Sequence, residues 1–233
     1  MIRFPATVMT GLLLLGGTGA AAVTDQADHN AQVLLAQTIE RYAGLESFRA
    51  TLQVTTNFAD AEIRQEGVLV TKKGGKVLLR LRDGDSKAWI ALLQSDGAYQ
   101  YQYDSKAKKI TRRAMGPEAA AQTPYFFPGF ERYELPSTRH EELVRRPQGD
   151  LIRVSVALKG AADKTAFHFV RMLVRRDVQV IEEMEFMSAA RRTLMKIRFV
   201  GVELDQPIDD GEFRWEKPPE LAEVPVVDAA PQK

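Results

Sequence analysis

The segment 48–58 alternates between apolar and polar residues without a break, which is the pattern of a β-strand with one buried face. Its apolar positions are Phe48, Ala50, Leu52, Val54, Thr56 and Phe58. Comparable alternation recurs as far as Phe213 and Trp215, and it predicts about ten or eleven strands. The expected fold is mainly β with a few helices. A large sheet that carries no catalytic motif usually holds a ligand, so the question is what its buried face binds.

The N-terminus has the three zones of a secretory signal peptide. Arg3 is the positive zone, an apolar stretch ends at Leu15, and small residues follow up to Ala22. We therefore expect residues 1–22 to be removed near Ala22 and the mature protein to be exported and soluble. There is no cysteine, and without Arg3 the 31 remaining Lys and Arg balance 31 Asp and Glu. A net charge near zero argues against nucleic acid or an anionic membrane surface as a partner.

Two segments depart from the strand pattern. Residues 28–45 carry an apolar stripe at helical spacing and predict an amphipathic helix. Residues 117–130 begin as a short helix and then concentrate Phe126, Phe127 and Phe130 among prolines and a glycine. This aromatic segment is either a loop that completes the core or a lid over the sheet. Between these segments, residues 88–93 are apolar on both alternations, which predicts a strand covered on both faces.

The sequence contains no pattern that indicates catalysis. Its three histidines lack metal-ligand spacing, and no nucleophile motif or phosphate loop is present. The carboxylates of 182–185 could include a glycosidase pair, but a solvated face is the favoured interpretation. Tyr99, Tyr101 and Tyr103 could stack on sugars, although cross-strand packing is favoured. We expect a protein that is not an enzyme, with no catalytic residue, metal or cofactor.

Four short motifs, in order along the chain, resemble those of the LolA-like family of periplasmic outer-membrane lipoprotein carriers and its lipoprotein-sorting relatives. They are Leu45-Glu46-Ser47-Phe48-Arg49-Ala50, Gln65-Glu66-Gly67-Val68-Leu69, Ser95-Asp96-Gly97 followed by Tyr101 and Tyr103-Asp104, and Phe213-Arg214-Trp215-Glu216-Lys217-Pro218-Pro219. The resemblance departs from the family at Lys73 and Gly74, where many carriers have Arg-Pro and the Arg ties a lid shut.

The resemblance implies an unclosed antiparallel β-barrel over residues 23–219, wrapped around helices and a lid, and a loosely ordered tail over 220–233. It implies a monomer that carries the acyl chains of a lipid or lipoprotein in an apolar concave cavity, between an inner-membrane exporter and an outer-membrane receptor. The residues expected in the cavity and lid are Leu52, Val54, Trp89, Leu93, Tyr101, Phe126, Phe127 and Phe130, with Lys73 positioning the lid. The alternative is an envelope sensor or regulatory domain of the same fold that binds a partner protein.

Overall fold

The computed structural model of the chain describes residues 18–58, 61–116, 130–160 and 166–229. Within them, one helix, α1 (Thr18–Gly44), precedes a sheet of twelve strands. The strands are β1 (Ser47–Phe58), β2 (Ala61–Lys72), β3 (Lys76–Asp83), β4 (Trp89–Asp96), β5 (Tyr99–Asp104), β6 (Lys109–Ala114), β7 (Arg139–Val144), β8 (Leu151–Ala157), β9 (Phe169–Arg175), β10 (Val180–Met187), β11 (Thr193–Leu204) and β12 (Val226–Asp228). Short 3-10 helices lie at Phe130–Arg132, Leu135–Ser137, Asp210–Phe213 and Pro219–Leu221.

The strand order is β12-β6-β5-β4-β3-β2-β1-β11-β10-β9-β8-β7. All neighbours are antiparallel except β12, which pairs parallel with β6. From β1 to β6, each strand lies beside the one that precedes it in the sequence. The chain then continues at the opposite edge with β7, and β8 to β11 follow in order until β11 pairs with β1 in the middle of the sheet. The sheet has two edges, β12 and β7, and is not closed. The prediction of a mainly β protein with an unclosed antiparallel sheet is confirmed.

The helix packs on one face of the sheet, called here the helix face. Its buried positions are Ala31, Leu34, Leu35, Thr38 and Tyr42, at the three- and four-residue spacing that places side chains on one stripe. The stripe joins the apolar side of β1 and inward residues of β8 to β11 in one core. Helix α1 begins ten residues before the predicted start at Asp28, within the alanine-rich segment that favours helix.

The opposite face of the sheet, called here the outer face, is covered by the C-terminal strap, residues 205–225. Ile208 and Phe213 pack on Val70 and Leu78 of the sheet. Further along the strap, Leu221 packs with Leu92, Tyr103 and Ile110. Burial on this second face explains why several strands of the sequence are apolar on both alternations.

Two predictions about the C-terminal region are wrong. Phe213 lies in the 3-10 helix Asp210–Phe213 and not in a strand, because Asp209 caps this turn by accepting the Gly211 N–H. Residues 220–229 are not a loose tail, because Leu221 is only 4% exposed and β12 adds three residues to the sheet beside β6. The second departure depends on contacts with residues more than a hundred positions earlier, which local patterns do not reveal.

Two glycines of the sheet, Gly201 and Gly67, have different structural roles. Gly201 has a positive φ of +63° and lies where the pairing of β1 with β11 shifts register, so β11 has a bulge there. Gly67 pairs without interruption with Leu52 on one side and Leu81 on the other. A Cβ atom at Gly67 would lie 1.8 Å from the Arg80 carbonyl oxygen, so this position requires glycine for close approach of β3 and not for a bulge.

Candidate functional site

Helix α1 covers only part of the helix face of the sheet. Helix α1 packs mainly against β7, β8 and the 3-10 helix Leu135–Ser137, at one end of the sheet. On the other side of β1, the helix face of β3 and β4 presents an apolar row: Leu79, Leu81, Ala91 and Leu93. All four are half-buried, and Leu79 and Leu81 also pack against the core under α1. The apolar row is therefore continuous with the core but is not sealed as the core is.

The strand register defines where the apolar row ends. Leu93 lies opposite Gln102 and Ala91 lies opposite Asp104, and both β5 residues are exposed. On the other side, Leu79 and Leu81 lie opposite Leu69 and Gly67 of β2. The result is a strip of aliphatic side chains with a polar border. Such a surface suits an extended apolar ligand with one polar end, since each buried CH₂ group contributes about 0.8 kcal/mol.

Four of the eight residues predicted for the cavity and lid lie on the helix side of the sheet. Leu52 and Val54 are 0% and 5% exposed and belong to the core of β1. Leu93 belongs to the apolar row. Phe130 makes edge contacts with Tyr42 and Tyr133, at ring distances of 6.2 and 5.4 Å. Their contact with a ligand stays a prediction.

Trp89 and Tyr101 do not face this side, which corrects their assignment to the cavity. Tyr101 lies opposite Gln94 and stacks on Trp215 of the strap at 4.2 Å, so it belongs to the outer face. Trp89 should follow Leu93 and Ala91 by alternation, but the register shifts between Leu81 and Arg82 and turns Trp89 to the outer face. There it packs with the strap and lies under the Arg82 guanidinium at 4.3 Å.

The lid residues Phe126 and Phe127 lie outside the described residues. Lys73, expected to position the lid, forms an ion pair with Glu46, and both side chains are well exposed. Its backbone N–H also donates to the Glu46 carbonyl oxygen at 2.9 Å. Lys73 thus links the end of β2 to the start of β1, and a role toward the lid stays a prediction.

The sequence did not indicate a second feature of the helix face, which is a split in the sheet. Pairing of β10 with β11 begins at Glu183 and Arg198, so the start of β10 lacks β11 as a neighbour. The Ile181 N–H in this gap donates to the Tyr42 hydroxyl of α1 at 3.0 Å. Burial raises the pKa of Tyr42 to about 12, against a smaller lowering by that hydrogen bond. The helical stripe predicted Tyr42 as a buried residue, but not as the partner of a strand.

The carboxylates of β10 form ion pairs with nearby arginine and lysine side chains. Glu182 pairs with Arg146 and Arg175, and Glu183 pairs with Lys196 at 2.8 Å. Burial alone would raise the pKa of Glu185, but hydrogen bonds from Arg171 and Thr193 and the charge of Lys196 outweigh it and lower the pKa. In the part of the chain that the structure describes, no group of three or more His, Asp or Glu side chains could hold a metal ion.

None of the helices in the described ranges is both long and apolar enough to cross a membrane.

Comparison with known proteins supports the fold. No protein-family model matches the chain, and no curated protein matches it. An uncharacterized conserved protein from Thermus thermophilus is similar in structure, with a TM-score of 0.52, 12% identity, and coverage of 86% of this chain and 99% of that one. At this identity the similarity concerns the fold alone.

Two further structures match at lower TM-scores. A LolA superfamily protein from Nitrosomonas europaea has a TM-score of 0.37 and 12% identity, over 79% of this chain and 97% of that one. The complex structure of Pseudomonas aeruginosa MucA/MucB has a TM-score of 0.48 and 13% identity, over 80% of this chain and 61% of that one. The chain has the arrangement that the resemblance implied, a long helix and an unclosed antiparallel sheet.

Proposed function

We propose that this protein is a periplasmic, non-enzymatic carrier that holds the acyl chains of a lipid or lipoprotein on the helix face of its sheet. One observation carries the proposal: the apolar row of Leu79, Leu81, Ala91 and Leu93 extends the core beyond α1 without being fully buried. An aliphatic strip that adjoins a core and ends in polar side chains is the surface that an amphiphile covers on binding.

Export to the periplasm is the part of the proposal that depends on the N-terminus. Cleavage near Ala22 would remove the first residues of α1 but none of its buried stripe, which begins at Ala31. The mature protein would therefore retain every contact described between the helix and the sheet. Transfer would then run from an inner-membrane exporter to an outer-membrane receptor.

Binding of a fluorescent acyl-chain probe to the mature protein tests the proposal. We expect Leu93→Gln to weaken probe binding at least about fivefold, because it puts an amide on the acyl surface. The matched control is Leu143→Gln on β7, where the leucine is 40% exposed and lies away from the apolar row. Circular dichroism checks that both variants fold. Equal probe affinity in the two variants would show that the apolar row is not the surface that binds the acyl chain. Mass spectrometry of co-purifying lipid would identify the natural ligand.

A second function, binding of a partner protein by a sensor or regulatory domain, is favoured by one feature of the sheet. Strand β7 is an edge, with β8 on one side and no strand on the other among the described residues. An edge of this kind pairs readily with an extended segment of another protein. Pull-down from envelope extracts distinguishes the two functions, since a sensor retains a partner protein without acyl chains, whereas a carrier retains lipid or an acylated lipoprotein.

A further inference from the structure

A groove of about 600 Å³ lies on the outer face, between the sheet and the strap. Its floor includes Val68 and Arg80, and its walls include Trp89, Pro218 and Pro219. It is separate from the apolar row, because Val68 and Arg80 lie opposite each other on the face turned away from α1. A groove of this size that combines an apolar surface with charged side chains is typical of sites for small organic molecules.

Arg80 has a buried hydrogen-bond donor for which the described part of the chain supplies no acceptor. Its side chain lies between the two apolar clusters of the outer face, next to Val68 and Leu92 across the strands. Its Nε atom is buried and has no hydrogen-bond partner. Within the described residues, Arg80 forms no ion pair, whereas its neighbour Arg82 pairs with Glu220 at 2.8 Å. A buried N–H group without a hydrogen-bond partner lowers stability, so a ligand that supplies the acceptor to the Arg80 Nε would be held there.

The other charges around the groove are largely satisfied. Glu66 pairs with Lys87, and Glu220 pairs with Arg82. Of the remaining lining charges, Glu216 and Lys217 are opposite in sign and adjacent on the strap. Apart from this pair of opposite neighbours, Arg80 is the lining charge that has no ion pair among the described residues.

Trp89 adds a second donor to the same groove. Its Nε1 is buried and makes no hydrogen bond of normal geometry, although it lies close enough to Glu220 to contribute to lowering that carboxyl's pKa, after the Glu220 N–H and Arg82. The indole face is already covered by Arg82. A planar guanidinium and an indole N–H together suit an anionic group with several acceptor oxygens.

We propose that this outer-face groove binds a small organic anion, a carboxylate or phosphate attached to an apolar body, with Arg80 as the residue that recognises the anionic group. The apolar body would lie against Val68, Trp89 and the two prolines. The site does not depend on the acyl-chain function, because it lies on the other face of the sheet.

Nuclear magnetic resonance of the two tryptophan indole N–H groups tests the proposal, with Trp215→Phe to assign the signals. The probes are phenyl phosphate, benzoate and, as a neutral body, benzyl alcohol. We expect at least one anion to shift the Trp89 signal saturably and benzyl alcohol not to. The stronger of the two anions identifies the acidic group. If neither anion produces a saturable shift, the proposal is wrong.

Variants of Arg80 locate the anionic group. We expect Arg80→Met to weaken binding at least about tenfold and Arg80→Lys to weaken it less, because lysine keeps the charge but not the planar fork. The control Arg64→Met removes an arginine whose side chain is 76% exposed on β2. It should bind like the wild type.

The ligand-free proteins give an independent measurement. Because Arg80 has no partner within the described residues, Arg80→Met should melt at or above the wild-type temperature. A melting temperature lower than that of Arg64→Met would show that the fold itself satisfies Arg80, and it would overturn the proposal. Unchanged affinity of Arg80→Met for the anions would overturn it as well.

Discussion

At the scale of single residues, Tyr42 has a hydrogen-bonding role that its position in the sequence does not predict. It is 3% exposed on the apolar stripe of α1, where its ring contacts Phe48 at 6.1 Å. Its hydroxyl accepts the N–H of Ile181, which is fully buried in the split between β10 and β11. Helix α1 thus replaces a strand as hydrogen-bond partner at one point of the sheet.

Replacement of Tyr42 by phenylalanine should lower the free energy of unfolding by about 1–3 kcal/mol, because it leaves the Ile181 N–H buried without a partner. Urea denaturation at neutral pH measures the change. The control is Tyr99→Phe, since Tyr99 is 44% exposed on β5 and its loss should have little effect. Equal stability of the two variants would mean that water satisfies Ile181 when the hydroxyl is absent.

Because the pKa of Tyr42 is raised, its contribution to the free energy of unfolding depends on pH. The folded pKa of about 12 exceeds the ordinary value of 10.0, so the unfolded chain ionises first. The contribution of Tyr42 to stability is complete below pH 10 and is lost as the pH rises toward 12. The stability difference between the wild type and Tyr42→Phe should therefore shrink over this range, as urea denaturation at pH 8 to 12 would measure.

At the scale of elements, the C-terminal strap is what allows strands to be apolar on both faces. It supplies Ile208, Phe213 and Leu221 to the outer face, and its end becomes β12. It is also attached by charge: Asp210 accepts from Lys72 and Lys76, and these hydrogen bonds lower the pKa of Asp210 to about 2. The strap is therefore part of the domain and forms one wall of the outer-face groove.

Leu221→Ala should lower the free energy of unfolding by about 2–4 kcal/mol, because it opens a cavity beside Leu92, Tyr103 and Ile110. Thermal and urea unfolding measure the loss. Val227→Ala on β12 is the control, since Val227 is 39% exposed and its truncation should change stability by no more than about 0.5 kcal/mol. If both variants are equally stable, the strap does not contribute to the stability of the sheet.

At the scale of the whole molecule, the sheet is strongest in its middle and weakest at its edges. Strand β1 pairs along its length with β2 and over most of its length with β11. Its apolar side lies on the helix face and is buried in the core. Strand β12 has three residues, all exposed, and one neighbour. Because the sheet is unclosed, β12 and β7 each have a single neighbouring strand among the described residues.

Native-state hydrogen exchange should reproduce this order. We expect the amides of β1 to exchange only by global unfolding, and those of β12 to exchange faster by local opening, since a three-residue edge strand costs little to detach. Peptide-resolved mass spectrometry measures both. Equal protection of β1 and β12 would show that the sheet opens as a single unit.

The sequence by itself determined the strand-rich architecture and the amphipathic stripe of α1, because alternation and helical spacing are local properties. The alternation of 48–58 also predicted that Leu52 and Val54 lie on the buried side of β1. Only the tertiary structure decided which face Trp89 occupies, since the shift in register beside Arg82 depends on two strands together. The tertiary structure also decided the folding of the strap, the partner of Tyr42 and the burial of the Arg80 Nε atom. Each depends on residues that are distant in sequence and meet only in the folded chain.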